Sequence, residues 1–356
     1  LIDSGLIFFG RDINLTANIK LLPSGKEFVA QDTETVLEAA LRSGVSISYS
    51  CNNGTCGECK AHLLSGRVNQ LVGQDYCFSE AEKNRNAILL CNITAASDLE
   101  IEVHEANSAQ DIPLQKVPTR VDKLERLSND IMVVHLRTPR SQTLNFLAGQ
   151  HVSLEAAGIP PRNKSIASCP CNAMHLQFHI RHVPDDPFSE HVFTKLKVAD
   201  TVTINGPMGD FLLDEESKRP IIFFAYETGF GPVKSIIEHA IALDLQQPIH
   251  LYWLAREGEF YLGNYCRSWE DALDNFTYTP LVIQSGVEGN DPFVHPEIAA
   301  KNFVMAGQRV GADHPDLSGF DCYLSGPEST MQPLIEQLET YGLQKDRLKV
   351  DFMQRY

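Results

Sequence analysis

The run Ser50-Cys51-Asn52-Asn53-Gly54-Thr55-Cys56-Gly57-Glu58-Cys59, answered by Cys91 in Leu89-Leu90-Cys91-Asn92, constrains this chain more than any other feature. Three cysteines spaced C-x4-C-x2-C, with a fourth far along the chain, form a spacing that holds a 2Fe–2S cluster. Two irons need four thiolates, and one loop supplies three of them only if its backbone turns tightly beside the inorganic sulfides. Gly54 and Gly57 permit that turn, because glycine adopts left-handed backbone angles and carries no Cβ. Amide N–H groups can then point at sulfur and tune the potential. A structural zinc site is the rival reading, but zinc modules bring two short Cys-x-x-Cys clips rather than a triplet and a singleton. Cys51, Cys56, Cys59 and Cys91 are therefore the expected metal ligands, and the chain is expected to move electrons singly.

The surroundings agree. Asn18 to Ala30 reads as two strands around a Pro23-Ser24-Gly25-Lys26 turn. Asp32-Thr33 is the expected cap of a helix with Val36, Leu37, Ala40 and Leu41 on one face, stopped by Gly44. Hairpin, helix and cysteine loop come in the order of the β-grasp ferredoxin fold. Residues from about 16 to 105 resemble a plant-type ferredoxin module as used in bacterial multidomain reductases.

At 356 residues the chain exceeds one ordinary core and suits two or three domains. No apolar run nears the roughly 18 to 20 residues of a membrane helix, and Leu6 to Phe9 lacks the length and basic flank of a signal peptide. The start at Leu1 rather than Met points to an upstream piece. Cys77, Cys169, Cys171, Cys266 and Cys322 form no paired framework beside the oxygen-sensitive cluster, which argues for a reducing, cytoplasmic location. Cys169-Pro170-Cys171 reads as two thiols rather than a redox pair. A formal charge of −16 disfavours nucleic acid and acidic membranes as partners. Residues 1–105 carry 8 Lys and Arg against 14 Asp and Glu, a balance that suits docking on a basic patch of an electron-acceptor protein and equally an ordinary acidic surface.

Beyond a polar stretch near Asn107 to Pro118, read as a linker, Thr119 to Arg140 and His151 to Glu155 look like strands. Pro161-Arg162-Asn163-Lys164-Ser165-Ile166-Ala167-Ser168 follows, then the strand-like Leu176 to His182, Phe188-Ser189, and Gly206-Pro207-Met208-Gly209-Asp210-Phe211. Together these resemble the flavin domain of the ferredoxin-NADP reductase superfamily. The resemblance implies an antiparallel β-barrel that binds FAD: Arg162 on the pyrophosphate, Ser165 near flavin N5, and Asn163, Lys164, His179, Ile180, Arg181, Phe188 and Ser189 as further cofactor contacts. A planar guanidinium suits a diphosphate. Lys164 stands where the family has a stacking tyrosine, and Asp185-Asp186-Pro187 where its phosphate-contacting segment has glycine. Two carboxylates there repel a diphosphate unless they turn outward.

The last third alternates strands and helices, the pattern of an α/β parallel sheet whose ligands sit beyond the strands' carboxyl ends. Pro220 to Ala225, Ile249 to Ala255, Pro280 to Gln284 and Asp321 to Ser325 are the expected strands, with helices over Val233 to Ile241 and Thr330 to Tyr341. Thr228-Gly229-Phe230-Gly231-Pro232, after a buried strand and opening a helix, reads as a phosphate-binding turn. It and Leu324-Ser325-Gly326-Pro327 resemble the nicotinamide-dinucleotide motifs of the same superfamily, which makes all of them except Leu324 candidate site residues, with Thr228 and Ser325 beside Ser165 on the transfer path. Tyr226-Glu227 stands in place of glycines, and Ser325 in place of a cysteine. Lys164 and Glu227 border one pocket in the family, which suits either an ion pair that fills it or ordinary drift on a working scaffold. Arg256 suits a 2′-phosphate or a surface ion pair, while Glu257 and Glu259 suit ribose hydroxyls and favour NADH.

The order ferredoxin, flavin domain, nucleotide domain resembles the methane monooxygenase and phenol hydroxylase reductases and the CDP-6-deoxy-glucoseen reductases. The expected boundaries are 1–106 for the ferredoxin, 107–117 for the linker, 118–216 for the FAD domain and 217–356 for the NAD(P) domain. The resemblance implies hydride passing from NAD(P)H to FAD, then single electrons to the cluster and on to an oxygenase or other redox enzyme. Two rivals are a carrier whose reductase domains have become a docking scaffold, and a subunit whose flavin has another electron source. His175, His179 and His182 lack a third ligand on one face, His295 is isolated, and Phe352 and Tyr356 suit covering a flavin ring or packing.

Overall fold

The computed structural model describes residues 16–49, 51, 53–71, 73–106, 108–156, 158–172, 174–283 and 296–353; Leu6 to Phe9, His295 and Tyr356 lie outside them. The chain divides into two units, Leu1–Glu105 and Ala106–Tyr356.

In the first unit, alternation of buried and exposed residues makes β1 (Thr16–Leu22) and β2 (Glu27–Gln31) an antiparallel hairpin. Helix α1 (Val36–Arg42) follows, with Val36, Leu37, Ala39 and Ala40 buried. Its cap is Thr35 rather than the expected Asp32-Thr33. Thr35 accepts from the Glu38 amide while Glu38 reaches back to the Thr35 N–H, a reciprocal capping box. Next come β3 (Lys60–Ser65), β4 (Val68–Gln70), α2 (Glu80–Asn84), β5 (Ala87–Leu89), β6 (Ile93–Ala95) and β7 (Leu99–Glu102). The main sheet runs β2-β1-β7-β3-β5, with β1 and β7 parallel, and β4 pairs with β6. This is the expected β-grasp order.

The second unit begins with β8 (Gln115–Arg126), whose first residues fall in the stretch read as a linker because they pair with Asn205 and Gly206. It continues through β9 (Ile131–Arg137), β10 (His151–Ala156), β11 (Arg162–Ser165), β12 (His175–Arg181), α3 (Pro187–Thr194) and β13 (Thr201–Met208). All pairings in the six-stranded sheet β11-β10-β13-β8-β9-β12 are antiparallel. Its two edges approach where the Ala167 amide donates to the Gln177 carbonyl at 2.8 Å, which rolls the sheet into the expected barrel.

The remaining elements are β14 (Ile221–Tyr226), α4 (Phe230–Ala242), β15 (Ile249–Ala255), α5 (Gly263–Ala272), β16 (Phe276–Val282), α6 (Pro296–Asp313), β17 (Asp321–Pro327), α7 (Glu328–Glu339) and β18 (Leu348–Met353). The sheet order β16-β15-β14-β17-β18 is parallel throughout. Every residue of β14 is buried, because helices cover both faces: Phe223 and Ala225 pack with α4 and α5, Phe224 and Tyr226 with α6 and α7. β16 starts four residues before the expected Pro280, since Phe276 and Tyr278 carry its buried face and an edge strand tolerates the proline. The chain winds outward one way from β14 and then crosses to β17, so the ligand crevice of this topology opens between their carboxyl ends.

Candidate functional site

The cysteine loop has the geometry its glycines imply. Gly54 and Gly57 both adopt φ +78°, and a Cβ on Gly57 would stand 2.2 Å from the Tyr76 ring. Both backbone angle and close packing therefore require glycine. The Thr55 and Cys56 amides donate to Cys51 Sγ at 3.4 and 3.3 Å, and the Glu58 amide to Cys56 Sγ at 3.4 Å. Burial raises the Cys51 thiol, but donors from Thr55, Asn53 and Cys56 outweigh it and bring it down to about 6. Among the described residues no three His, Cys, Asp or Glu side chains converge as a single bound ion demands. The four thiols influence one another electrostatically, Cys56 and Cys91 with Cys51, and Cys59 with Cys91 and Cys56. Four neighbouring thiols beneath amide donors fit a two-iron centre.

A second site lies at the crevice between β14 and β17. A cavity of about 320 Å³ gathers Arg162, Asn163, Lys164 and Ser165 from β11, His179 from β12, and Thr228, Gly229, Gly231 and Pro232 from the turn into α4. A Cβ on Gly229 would meet the Ser325 carbonyl oxygen at 2.7 Å, so the turn lies tight against β17. Helix α4 starts at this opening, with Gly231 and Pro232 of its first turn lining the cavity and no side chain capping its N-terminus, an arrangement suited to a phosphate. Ser325, behind this turn, is fully buried.

The cavity also holds a residue that the sequence reading passed over. Asp351 on β18 accepts from the Ser165 hydroxyl at 3.4 Å and the Ser325 hydroxyl at 3.1 Å. Burial raises its carboxyl, against the opposing influence of Ser325, His151 and Ser165. The three candidate transfer-path residues thus split: Ser165 and Ser325 share one carboxylate, while Thr228 lies on the cavity wall. A lone acid between Val350 and Phe352 was the available signal. Phe352, the expected ring cover, lines the same cavity and is 46% exposed.

Other candidates lie elsewhere. Ile180 and Phe188 face the barrel interior, and Phe230 stacks on Trp253 at 4.1 Å inside the α/β core. Gly326 and Pro327 end β17 in buried positions, where a Cβ on Gly326 would stand 2.3 Å from Met331. Lys164 and Glu227 form no ion pair. Glu227, in a left-handed turn at φ +47°, lies 3.3 Å from Arg181 and 3.8 Å from Arg256, because Arg181 reaches it from β12. The charges acting on Lys164 are Asp186 and Arg162, and burial depresses its ammonium to about 7. Arg256 also meets Glu259 at 3.6 Å, as does Arg181 at 3.0 Å. The Asp186 carboxylate turns inward, onto Arg162. Cys169 and Cys171, expected as separate thiols, are bridged, since the turn at Pro170 brings their Cα atoms within 5.2 Å.

Comparison with known proteins follows the same division. Residues 19–96 match the 2Fe-2S iron-sulfur cluster binding domain, and residues 118–212 the oxidoreductase FAD-binding domain. The CDP-6-deoxy-L-threo-D-glycero-4-hexulose-3-dehydrase reductase of Yersinia pestis is 34% identical over 339 residues, 95% of this chain and 98% of the relative. The propane 2-monooxygenase reductase component of Rhodococcus jostii is 27% identical, over 94% of this chain and 90% of its own. The Amycolatopsis cytochrome P450 reductase shares the fold at a TM-score of 0.59 and 24% identity, covering 94% of this chain and 98% of that one. Fold and site define an iron–sulfur flavoprotein oxidoreductase. The chain belongs to the family of reductases that join a 2Fe–2S ferredoxin to a FAD- and NAD(P)H-using module.

Proposed function

We propose that this chain is the reductase component of a multicomponent system, drawing electrons from NADH and delivering them singly to a protein acceptor such as an oxygenase or a sugar dehydratase. One observation carries the reading: a four-cysteine ferredoxin motif and a cavity lined by Arg162, Ser165, Thr228 and Asp351 occur in one polypeptide. FAD supplies the conversion between a two-electron hydride and one-electron transfer. The protein's share is alignment, exclusion of water and the hydrogen bonds around Asp351. Arg256, held by Glu227 and Glu259, has its charge already matched, which supports NADH over NADPH. Among the described residues no helix is long and apolar enough to cross a membrane.

Inward-facing Asp186 and buried Glu227 favour a second reading, a ferredoxin carrier with a scaffold in place of a working reductase. An absorption spectrum of the purified chain separates the two. The enzyme reading predicts flavin and cluster bands together; a cluster band alone would leave the carrier.

A further inference from the structure

An anion-binding arrangement in the barrel is filled by the protein's own carboxylate. Arg162 donates from Nε and Nη2 to Asp186 Oδ1 at 3.0 and 2.9 Å. The other oxygen, Oδ2, accepts the Ser189 amide in the first turn of α3 at 2.8 Å. A guanidinium and a helix N-terminus converging on one point recognise an anion, and here that anion is a side chain only 2% exposed. Asp185, left-handed at φ +65°, makes the turn that aims Asp186 inward. The Ser189 hydroxyl accepts the Val183 amide at 3.0 Å, reaches the Val183 and Asp186 carbonyls at 3.1 and 3.3 Å, and, against the upward pull of burial, helps hold the Asp186 carboxyl low. Arg162 also lines the cavity assigned to the flavin, next to Lys164 and Ser165.

We infer that Asp186 is a resident surrogate for the flavin's phosphate, so that a phosphorylated flavin binds by exchanging with this carboxylate. Two anions cannot share the seat without strong repulsion. Asp186 thereby sets how tightly FAD is held relative to a flavin without phosphate. The inference rests on the FAD-binding reading of the barrel and concerns only the diphosphate's share of affinity.

Full-length protein stripped of flavin, titrated with riboflavin, FMN and FAD and followed by quenching of flavin fluorescence, tests it. Asp186→Asn and Asp186→Ser remove the charge while keeping a side chain that caps α3. Wild type should hold FAD within about tenfold of riboflavin. Both variants should tighten FMN and FAD by about tenfold or more, the scale of a charge-assisted hydrogen bond, and leave riboflavin unchanged. Adding Arg162→Gln to Asp186→Asn should erase that gain. A wild type that prefers FAD over riboflavin by far more, with no gain in either variant, overturns the exchange while the flavoprotein reading stands. Failure of every flavin to bind any variant overturns both.

Discussion

At the residue scale, a few residues sit where the fold constrains them tightly. Gly57 is one: its left-handed φ and its contact with the Tyr76 ring both exclude a Cβ. Gly57→Ala should destabilise the ferredoxin unit by about 1 to 3 kcal/mol and lower its iron content, read by thermal melting and iron analysis. Normal iron with an unchanged melt would show that the loop relaxes freely. Asp351 is another. Burial raises its folded carboxyl, so its contribution to stability is present at low pH and is lost as pH rises through the folded value. Asp351→Asn should therefore melt higher than wild type at pH 7.5, with the gap closing toward pH 4. The same variant should slow flavin reduction by NADH in stopped flow, because Ser165 and Ser325 lose the charge that orients them. A variant as fast as wild type would remove Asp351 from the site's working parts.

Elements set which of these residues meet. The end of α6 is held to the sheet by His250 and His314, whose rings hydrogen-bond at 2.8 Å, with His250 also bonded to Thr279 and stacked on Tyr252. Burial pushes His250 down to about 4 and lowers His314 as well. Both groups are neutral in the fold, so their stabilisation is complete above about pH 6.5 and fades as pH falls toward 4. Hydrogen exchange at the carboxyl end of α6 should accelerate, beyond its intrinsic pH dependence, over that window. His250→Gln should flatten the response, and an equally steep response in that variant would assign the transition elsewhere.

Legibility in the sequence follows the same scale. The candidate cluster ligands stand out in the sequence because a diiron centre would impose local spacing on Cys51, Cys56 and Cys59. Strands β14 and β15 could be read because burial on both faces leaves a continuous apolar run. The cap at Thr35 was equally local, through Glu38 three residues on, and was missed for the nearer-looking Asp32-Thr33. Asp351 and Ser165 are 186 positions apart, and Arg162 and Asp186 are 24 apart. Which way Asp186 turns depends on a guanidinium arriving from another strand, and no local pattern encodes that. The same holds for Glu227, whose partner Arg181 comes from the barrel.

At the scale of the whole molecule, the acidic balance of residues 1–105 predicts that electron delivery to a basic acceptor weakens with salt. NADH-driven reduction of cytochrome c should fall steeply from low ionic strength to about 0.5 M, where the Debye length is only a few ångströms. A flat profile would place the exit surface away from the acidic face. The central claim is that one chain accepts hydride and releases single electrons. Anaerobic titration with NADH, followed by absorbance, tests it most directly. Flavin and cluster bands should both bleach, with an end point of about 1.5 NADH per chain, since FAD stores two electrons and the cluster one. Bands that persist under excess NADH, or the absence of a flavin band at the start, would contradict the account.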